Sequence, residues 1–142
     1  MQDGDVRITA YGSTDRGISF LIESEGKTFF HAGDLNDWHW REDPETTAEK
    51  SARYTEKYRL ELARLSQDVP HLDLAMFPLD PRLGNDFGDG AQALVDAIET
   101  DVFAPMHFWE EYELLDVFAQ RYRIPNRTRM IRWTHRGQKE LF

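Results

Sequence analysis

The sequence predicts a mixed α/β fold, an α/β (α+β) arrangement in which one β-sheet carries helices over one face. Two patterns predict it: three strand-like segments follow one another before residue 33, and helix-like and strand-like segments alternate after residue 43. Strands joined by short turns pair antiparallel and strands joined by a helix pair parallel, so the two patterns together predict a mixed sheet. The 142 residues contain no evident linker or repeat, which indicates a single domain over residues 1–142.

Three strands are predicted in the N-terminal part of the chain. Residues 6–11 (VRITAY), 18–23 (ISFLIE) and 27–32 (KTFFHA) are rich in β-branched and aromatic residues. Residues 24–26 (SEG) form a short turn with glycine where a positive φ is needed, so the second and third strands should form a hairpin. The third strand leads into an acid-rich loop at residues 33–37.

The rest of the chain predicts three helices and three strands. The first helix is expected to begin near Asp43 and Pro44, with aspartate as the N-cap and proline in the first turn. Its buried side is predicted from four residues at helical spacing: Tyr54, Tyr58, Leu62 and Leu65. Two further helices are predicted at about residues 90–99 and 109–122, and three strands at residues 72–78, 102–106 and 128–134.

Composition and charge exclude several function classes. The chain has 26 acidic and 17 basic residues, a net charge of −9 and no basic stripe, so no nucleic-acid partner is expected. It has no cysteine, which leaves histidine, aspartate and glutamate as possible metal ligands. No apolar stretch approaches the roughly 18 residues of a membrane span. The N-terminal residues lack a signal-peptide pattern, so no membrane partner and a cytoplasmic location are expected.

Polar residues follow three of the predicted strands, near Asp34, Asp80 and His107. Ligand sites in α/β sheets gather at such strand ends, so these residues are candidates for a common site. The residues alone leave other interpretations open. Asp34 could close a turn or cap a helix, and His107 could be a buried structural histidine.

Four stretches of sequence occur in the order of a known family. They are residues 12–23 (GSTDRGISFLIE), 26–35 (GKTFFHAGDL), 73–84 (DLAMFPLDPRLG) and 105–109 (PMHFW). Together they resemble the metallo-β-lactamase-fold hydrolases, in particular a bacterial branch similar to the ascorbate-6-phosphate lactonases. The resemblance implies that the chain is about half of an αβ/βα metallo-β-lactamase sandwich, namely its C-terminal portion.

The resemblance also implies a metal site. The carboxylate that follows the family's strand-Gly-Asp element falls on Asp34, and the family's late histidine at a strand end falls on His107. These two residues are therefore the expected ligands of a divalent metal, with zinc first and manganese or iron as alternatives. The implied activity is a metal-dependent hydrolase that acts on a small-molecule ester, lactone or phosphate-bearing substrate.

Two departures from the family pattern bear on activity. The family's His-x-His-x-Asp-His cluster is absent among the five histidines of this chain. Where many relatives place a further histidine before Ile18, this chain has Ser13, with Asp15 two residues later. A catalytic zinc usually needs three protein ligands, so the ligand set of this chain is expected to be incomplete. The alternative is a non-catalytic half-domain that assembles with itself or with a separate N-terminal half.

Four residues are candidates for contacting substrate or for positioning a ligand: Ser13, Asp15, His31 and Asp80. His31 could orient a metal ligand or pack in the core. Asp80 could touch substrate or stabilise its own loop through a pair with Arg82. Asp15 could approach the metals or bond within its loop, and a nucleophilic role for Ser13 is disfavoured because no histidine base is near it in the sequence.

Overall fold

The chain is described by a computed structural model that covers residues 5–142. These residues form six strands and three α-helices, in the order β1 (Arg7–Tyr11), β2 (Ser19–Ser24), β3 (Lys27–His31), α1 (Ala48–Asp68), β4 (His71–Pro78), α2 (Asp89–Ala97), β5 (Glu99–Met106), α3 (Glu113–Arg121) and β6 (Arg129–Met130). A 3₁₀ segment, Pro81–Asp86, lies between β4 and α2. None of the helices formed by residues 5–142 has both the length and the apolar character that crossing a membrane requires.

The six strands form one mixed sheet, as predicted, and their order in it is β1-β2-β3-β4-β5-β6. β1, β2 and β3 pair antiparallel, and β3 to β6 pair parallel. Glu25 and Gly26 both have positive φ, 52° and 75°, which suits a tight two-residue hairpin turn and confirms the predicted hairpin. Because β3, β4 and β5 are parallel neighbours, the loops that follow them leave the sheet at the same edge.

The helices pack on one face of the sheet. On that face Leu21, Phe30, Ala75 and Phe103 lie in register across four neighbouring strands, and all four are buried. The helices cover them with buried residues from all three segments, among them Tyr58, Leu62, Leu65, Leu94, Leu115 and Phe118. Each such large apolar side chain contributes on the order of 1.5–3 kcal/mol to folding, so this core holds the strand ends in place.

The second face of the sheet is covered over only part of its width. Ile131 and Trp133, which follow β6, pack against the residues of β4 and β5. On β1 and β2, by contrast, Ile8 is 61% exposed and Phe20 is 37% exposed. The apolar surface of this face therefore extends to the solvent at the antiparallel end of the sheet.

The predicted start of the first helix is wrong by one turn. The helix begins at Ala48, and Thr47 is its N-cap, because the Thr47 hydroxyl accepts a hydrogen bond from Lys50 N at 3.2 Å. Asp43 instead accepts hydrogen bonds from Glu45 N and the Thr46 hydroxyl, at 3.0 and 2.8 Å. An aspartate before proline can start either a turn or a helix, and here it starts a turn. Of the predicted buried side, Tyr54 is only half-buried, and Ser51 is buried instead.

Other boundaries differ for backbone reasons. The third helix begins at Glu113 rather than residue 109, because Trp109 and Glu110 have φ values of 51° and 67°, which a right-handed helix does not accommodate. The second helix ends at Ala97, and β5 begins at Glu99, three residues before the predicted start. The last strand has two residues, Arg129–Met130, where seven were predicted, because only its first part pairs with β5.

Candidate functional site

The shared edge of β3, β4 and β5 brings Asp34, Asp80 and His107 together. Each of these residues lies just after one of the three strands. His107 Nδ1 is 2.7 Å from Asp80 Oδ2, and His107 Nε2 is 3.8 Å from Asp34 Oδ1. One imidazole thus lies between two carboxylates, with one carboxylate near each of its nitrogens.

Asp34 is held by a tightly built turn after β3. Gly33 has a φ of 57°, and a Cβ at this position would lie 2.6 Å from the carbonyl oxygen of Ile18, so only glycine fits without a shift. Gly33 N donates a hydrogen bond to His31 Nδ1 at 3.0 Å. The indole of Trp38 donates to the backbone oxygen of Asp34 at 2.8 Å. The backbone of Asp34 is therefore fixed, while its side chain stays partly exposed.

His107 occupies an uncommon backbone conformation, with a φ of 67°. A non-glycine residue in this left-handed region costs on the order of 1 kcal/mol or more and persists only where its surroundings impose it. Trp38 and Trp109 impose it here by packing edge-on against the imidazole, with ring centroids 5.9 and 5.3 Å away. The backbone conformation that points the His107 side chain toward Asp34 is thus maintained by packing contacts of the folded chain.

Asp80 is the centre of the hydrogen bonds in this site. Its side chain is fully buried and accepts from the backbone N, Nε and Nη2 of Arg82, with shortest distances of 2.9, 2.9 and 2.6 Å. Burial works to raise the pKa of Asp80, but the hydrogen bonds from Arg82 and His107 outweigh it and lower the pKa below its ordinary value. Asp80 is therefore ionised at neutral pH.

An ionised Asp80 settles which nitrogen of His107 carries the proton. A carboxylate can only accept, so Nδ1–H of His107 donates to Asp80, and in the neutral ring Nε2 keeps its lone pair. That lone pair belongs to the nitrogen nearer to Asp34. The same arrangement, in which a carboxylate bonds the far nitrogen, is usual for metal-binding histidines.

Arg82 lies inside a group of three tryptophans. Its Cζ is 5.9, 5.6 and 5.4 Å from the ring centroids of Trp38, Trp40 and Trp109. Trp38 and Trp40 are stacked on each other with centroids 5.6 Å apart. The sequence offered Asp80 and Arg82 as a possible pair. The packing of three indoles from two separate loops around Arg82 could not be predicted from the spacing of these residues in the sequence.

The remaining sequence candidates take supporting positions. His31 acts on the backbone of Gly33, so it positions the turn that carries Asp34. Asp15 is exposed, and its charge acts on Arg82 together with that of Asp34. Ser13 Oγ accepts a long hydrogen bond from Asp15 N, at 3.4 Å, within its own loop. That loop is tied to the loop after β3, because the Thr14 hydroxyl donates to Asn36 O at 2.6 Å.

One other group of potential metal ligands occurs among residues 5–142, namely His39, Asp86 and Asp89. Arg41 Nη1 already donates to both carboxylates, at 2.7 and 2.8 Å. His39 is satisfied as well, since its Nδ1 accepts from Arg41 N and its Nε2 bonds Asp86 O, both at 3.2 Å. The guanidinium of Arg41 thus takes the place of a metal ion in this group, and His39 has a structural role.

An open groove of about 580 Å³ adjoins His107 on the second face of the sheet. Its lining is mostly apolar and includes His31, Met76, Phe108, Tyr112 and Trp133. His31, at the end of β3, and His107, just after β5, therefore line the same groove. The groove gives the site access to the solvent from that side.

No protein-family model matches this chain, and no curated protein is detectably similar to it in sequence. Among solved structures, the chain is similar to a proposed Zn-dependent hydrolase of the metallo-β-lactamase superfamily from Thermotoga maritima, with 16% identity, a TM-score of 0.49, and 88% of this chain and 62% of that chain covered. It is also similar to a proposed metal-dependent hydrolase from Parabacteroides distasonis, with 13% identity, a TM-score of 0.46, and coverage of 93% and 56%. The chain thus spans less than two thirds of either structure.

Proposed function

We propose that this chain supplies Asp34 and His107 as metal ligands to a metal-dependent hydrolase that acts on a small ester, lactone or phosphate-bearing substrate. The observation that carries the proposal is the position of His107. Its Nε2 is near Asp34, while its Nδ1 is bonded by the buried Asp80. This geometry is the one a terminal imidazole ligand needs.

The two residues fit one divalent cation. Zinc binds imidazole nitrogen at about 2.0–2.1 Å and carboxylate oxygen at about 2.0–2.2 Å, so the two ligand atoms of one ion lie at most about 4.3 Å apart. His107 Nε2 and Asp34 Oδ1, at 3.8 Å, are within that limit. The local charge supports a cation as well, because Asp15, Asp34 and Asp80 outnumber the single guanidinium of Arg82.

The residues of the chain have separate tasks in this proposal. Asp34 and His107 bind the cation, and Asp80 holds the Nδ1 proton of His107 so that Nε2 stays available. Trp38 and Trp109 pack against the imidazole in edge-type contacts, which help to hold its orientation. A bound cation supplies Lewis acidity, which lowers the pKa of a coordinated water and polarises an ester or phosphate oxygen.

Two protein ligands are fewer than the three that a catalytic zinc usually has. We propose that further ligands come from Asp15, whose charge acts on the same site, or from a separate N-terminal half. Turnover by the chain alone is then expected to be weak or absent, although the cation should still bind. Binding is therefore the property to measure first.

The experiment is a calorimetric titration of the purified chain with Zn²⁺ and with Mn²⁺. We expect Asp34→Ala and His107→Ala each to weaken binding on the order of 100-fold, because each removes a ligand. His71→Ala is the matched control, since His71 Nε2 forms a comparable pair with Asp101 at 3.1 Å at the opposite edge of the sheet. Equal binding by the wild type and both ligand variants would overturn the proposal.

A second candidate function is a non-catalytic half-domain that assembles with itself or with a separate N-terminal half. The observation that favours it is the apolar surface of the second sheet face, where Ile8 and Phe20 are exposed. Light scattering tests the self-assembly form of this candidate. A dimer that binds no divalent metal would favour it over the hydrolase.

A further inference from the structure

We infer that Arg82 forms an anion-binding subsite beside the Asp34–His107 pair, so that the substrate carries a carboxylate or phosphate group close to the bond that is cleaved. This inference rests on the proposed function, because it names the substrate class for the same site. Arg82 would bind and orient that group, which is a task separate from holding the cation.

The guanidinium of Arg82 has one edge bonded and one edge open. Asp80 accepts from Nε at 2.9 and 3.1 Å and from Nη2 at 2.6 Å, which occupies one edge. Among residues 5–142, nothing accepts a hydrogen bond from Nη1, and the Arg82 side chain is 53% exposed. The open edge, formed by Nη1 and the second hydrogen of Nη2, is the fork that binds carboxylate and phosphate with two parallel hydrogen bonds.

Arg41, which follows Trp40 in the chain, lacks this open edge, because its Nη1 donates to two carboxylates, Asp86 and Asp89. Asp15 and Asp34 act on Arg82 only through space, and neither forms an ion pair with it in the part of the chain that the structure describes. A substrate anion therefore need not displace an existing partner of Arg82.

The position of the guanidinium is set before any ligand arrives. Asp80 holds it on one side, and the rings of Trp38, Trp40 and Trp109 surround it at 5.4–5.9 Å. Immobilising a flexible side chain on binding normally costs about 0.5–1.5 kcal/mol, and an arginine already fixed avoids most of this cost.

One oxygen atom of Asp80 connects the Arg82 subsite to His107 of the proposed metal site. Asp80 Oδ2 accepts from Arg82 Nη2 at 2.6 Å and from His107 Nδ1 at 2.7 Å, so the guanidinium and the imidazole are neighbours. On this inference, one small molecule contacts both groups. The anionic group and the cleaved bond would be separated by only a few atoms.

The local charges should make binding of the anion depend on prior binding of the cation. Asp15, Asp34 and Asp80 carry three negative charges near one guanidinium, so an anion is disfavoured while the cation is missing. A divalent cation at Asp34 and His107 would cancel this excess of negative charge. By thermodynamic linkage, the cation should strengthen anion binding and the anion should strengthen cation binding by the same factor.

The test titrates inorganic phosphate, and separately acetate, into the chain loaded with one equivalent of Mn²⁺ or Zn²⁺. Calorimetry and tryptophan fluorescence report binding, since three indoles surround Arg82. We expect Arg82→Gln to weaken binding of the preferred anion at least about 10-fold, and metal-free wild type to bind it at least about 10-fold more weakly than loaded wild type. Stronger binding of phosphate assigns a phosphate-bearing substrate, and stronger binding of acetate assigns a carboxylate.

Arg64→Gln is the matched control, because Arg64 also pairs with a carboxylate, Glu61, but on the exposed side of α1. It should leave anion binding unchanged. Arg82→Lys keeps the positive charge but loses the two parallel donors of the guanidinium, so it too should bind the anion more weakly. This variant tests the inference if Arg82→Gln does not fold. Unchanged anion affinity in the folded Arg82 variants, or no anion binding to the loaded chain, would overturn this inference alone. A chain that binds no cation would overturn the proposed function and this inference with it.

Discussion

Asp80 is the residue on which the geometry of the site depends most. It is fully buried, and it links the guanidinium of Arg82 to the imidazole of His107. A buried carboxylate is tolerated only when its oxygens are bonded, and here donors from three residues, Arg82, His107 and Trp109, bond them. The charge of Asp80 therefore serves stability and the presentation of His107 together.

Asp80→Asn is expected to lower the free energy of unfolding at pH 7 by about 2 kcal/mol, because charge-assisted hydrogen bonds are replaced by weaker ones. The folded-state pKa of Asp80 lies below 3.8, so its contribution is present above the pKa of the unfolded state and is lost as the pH falls through the folded pKa. Urea unfolding of the variant and the wild type should therefore converge as the pH falls below about 4. The control is Asp101→Asn, an exposed pair with His71. Equal loss in both variants would contradict the assignment.

Asp37 should behave in the opposite way. Burial raises its pKa above 3.8, despite the hydrogen bond from the Thr55 hydroxyl at 2.8 Å. Because the pKa of Asp37 is raised in the folded state, the folded protein loses stability as the pH rises above 3.8, where ionisation of this carboxyl favours the unfolded state. Asp37→Asn, which mimics the neutral form, is expected to be at least as stable as the wild type at pH 7. Thermal unfolding at pH 4 and pH 7 measures this, and a variant that is less stable only at pH 7 would refute it.

At the scale of elements, the site depends on how each strand of the parallel part ends. β3 ends in the Gly33 turn, β4 in Asp80 and the 3₁₀ segment, and β5 in His107. The sheet register places Pro78 beside Met106, and Leu79 N donates to Met106 O at 2.8 Å. The pairing thus continues up to the residues that carry the functional side chains, which keeps those side chains at fixed separations.

Gly33→Ala tests the turn after β3. Gly33 and Gly26 both have positive φ, 57° and 75°, and an alanine costs about 1–2 kcal/mol in this region. Only at Gly33 does the added Cβ meet another atom, the Ile18 oxygen at 2.6 Å. Gly33→Ala should therefore destabilise the fold more than the control Gly26→Ala, as measured by urea unfolding, and on the proposed function it should also weaken metal binding. Equal effects of the two substitutions would argue against the close approach.

At the scale of the whole molecule, the two faces of the sheet are covered unequally. Three helices close one face, whereas the segment after β6 closes the other only above β4 and β5. The open part carries Ile8 and Phe20 on neighbouring antiparallel strands, where Ile8 pairs with Ile22 and Ala10 with Phe20. Contiguous apolar surface of this kind promotes association, so we expect the chain to self-associate.

Phe20→Ser tests this expectation. Because Phe20 is 37% exposed, the substitution should lower the free energy of unfolding of the monomer by only about 1–2 kcal/mol while weakening self-association. Multi-angle light scattering over a range of concentrations measures the mass. Leu60→Ser is the control, since Leu60 is a 52% exposed residue of α1 on the helical side of the molecule. A wild type that stays monomeric at all concentrations would contradict the prediction.

Local chemistry explains which predictions from the sequence are confirmed. The β2–β3 hairpin was predictable because its turn needs positive φ, and glycine provides it at Gly26. The mixed sheet was predictable because alternation of helices and strands imposes parallel pairing. The start of α1 was not predictable from the sequence, because Asp43 and Thr47 are both good N-cap residues and only packing decides between them. Similarly, no local pattern reveals the positive φ of His107 and Trp109, since tertiary contacts impose it.

For the site, the sequence alone indicates which residue types follow which strands, and its resemblance to a family singles out Asp34 and His107. Their role as metal ligands remains a prediction. Only the tertiary structure decided that Asp80, rather than Asp34, bonds Nδ1 of His107, and that Arg82 lies among three tryptophans. The physical reason is that spacing along the chain constrains neighbours within one element, whereas contacts between strand ends depend on the register of the parallel sheet and on the packing that holds it.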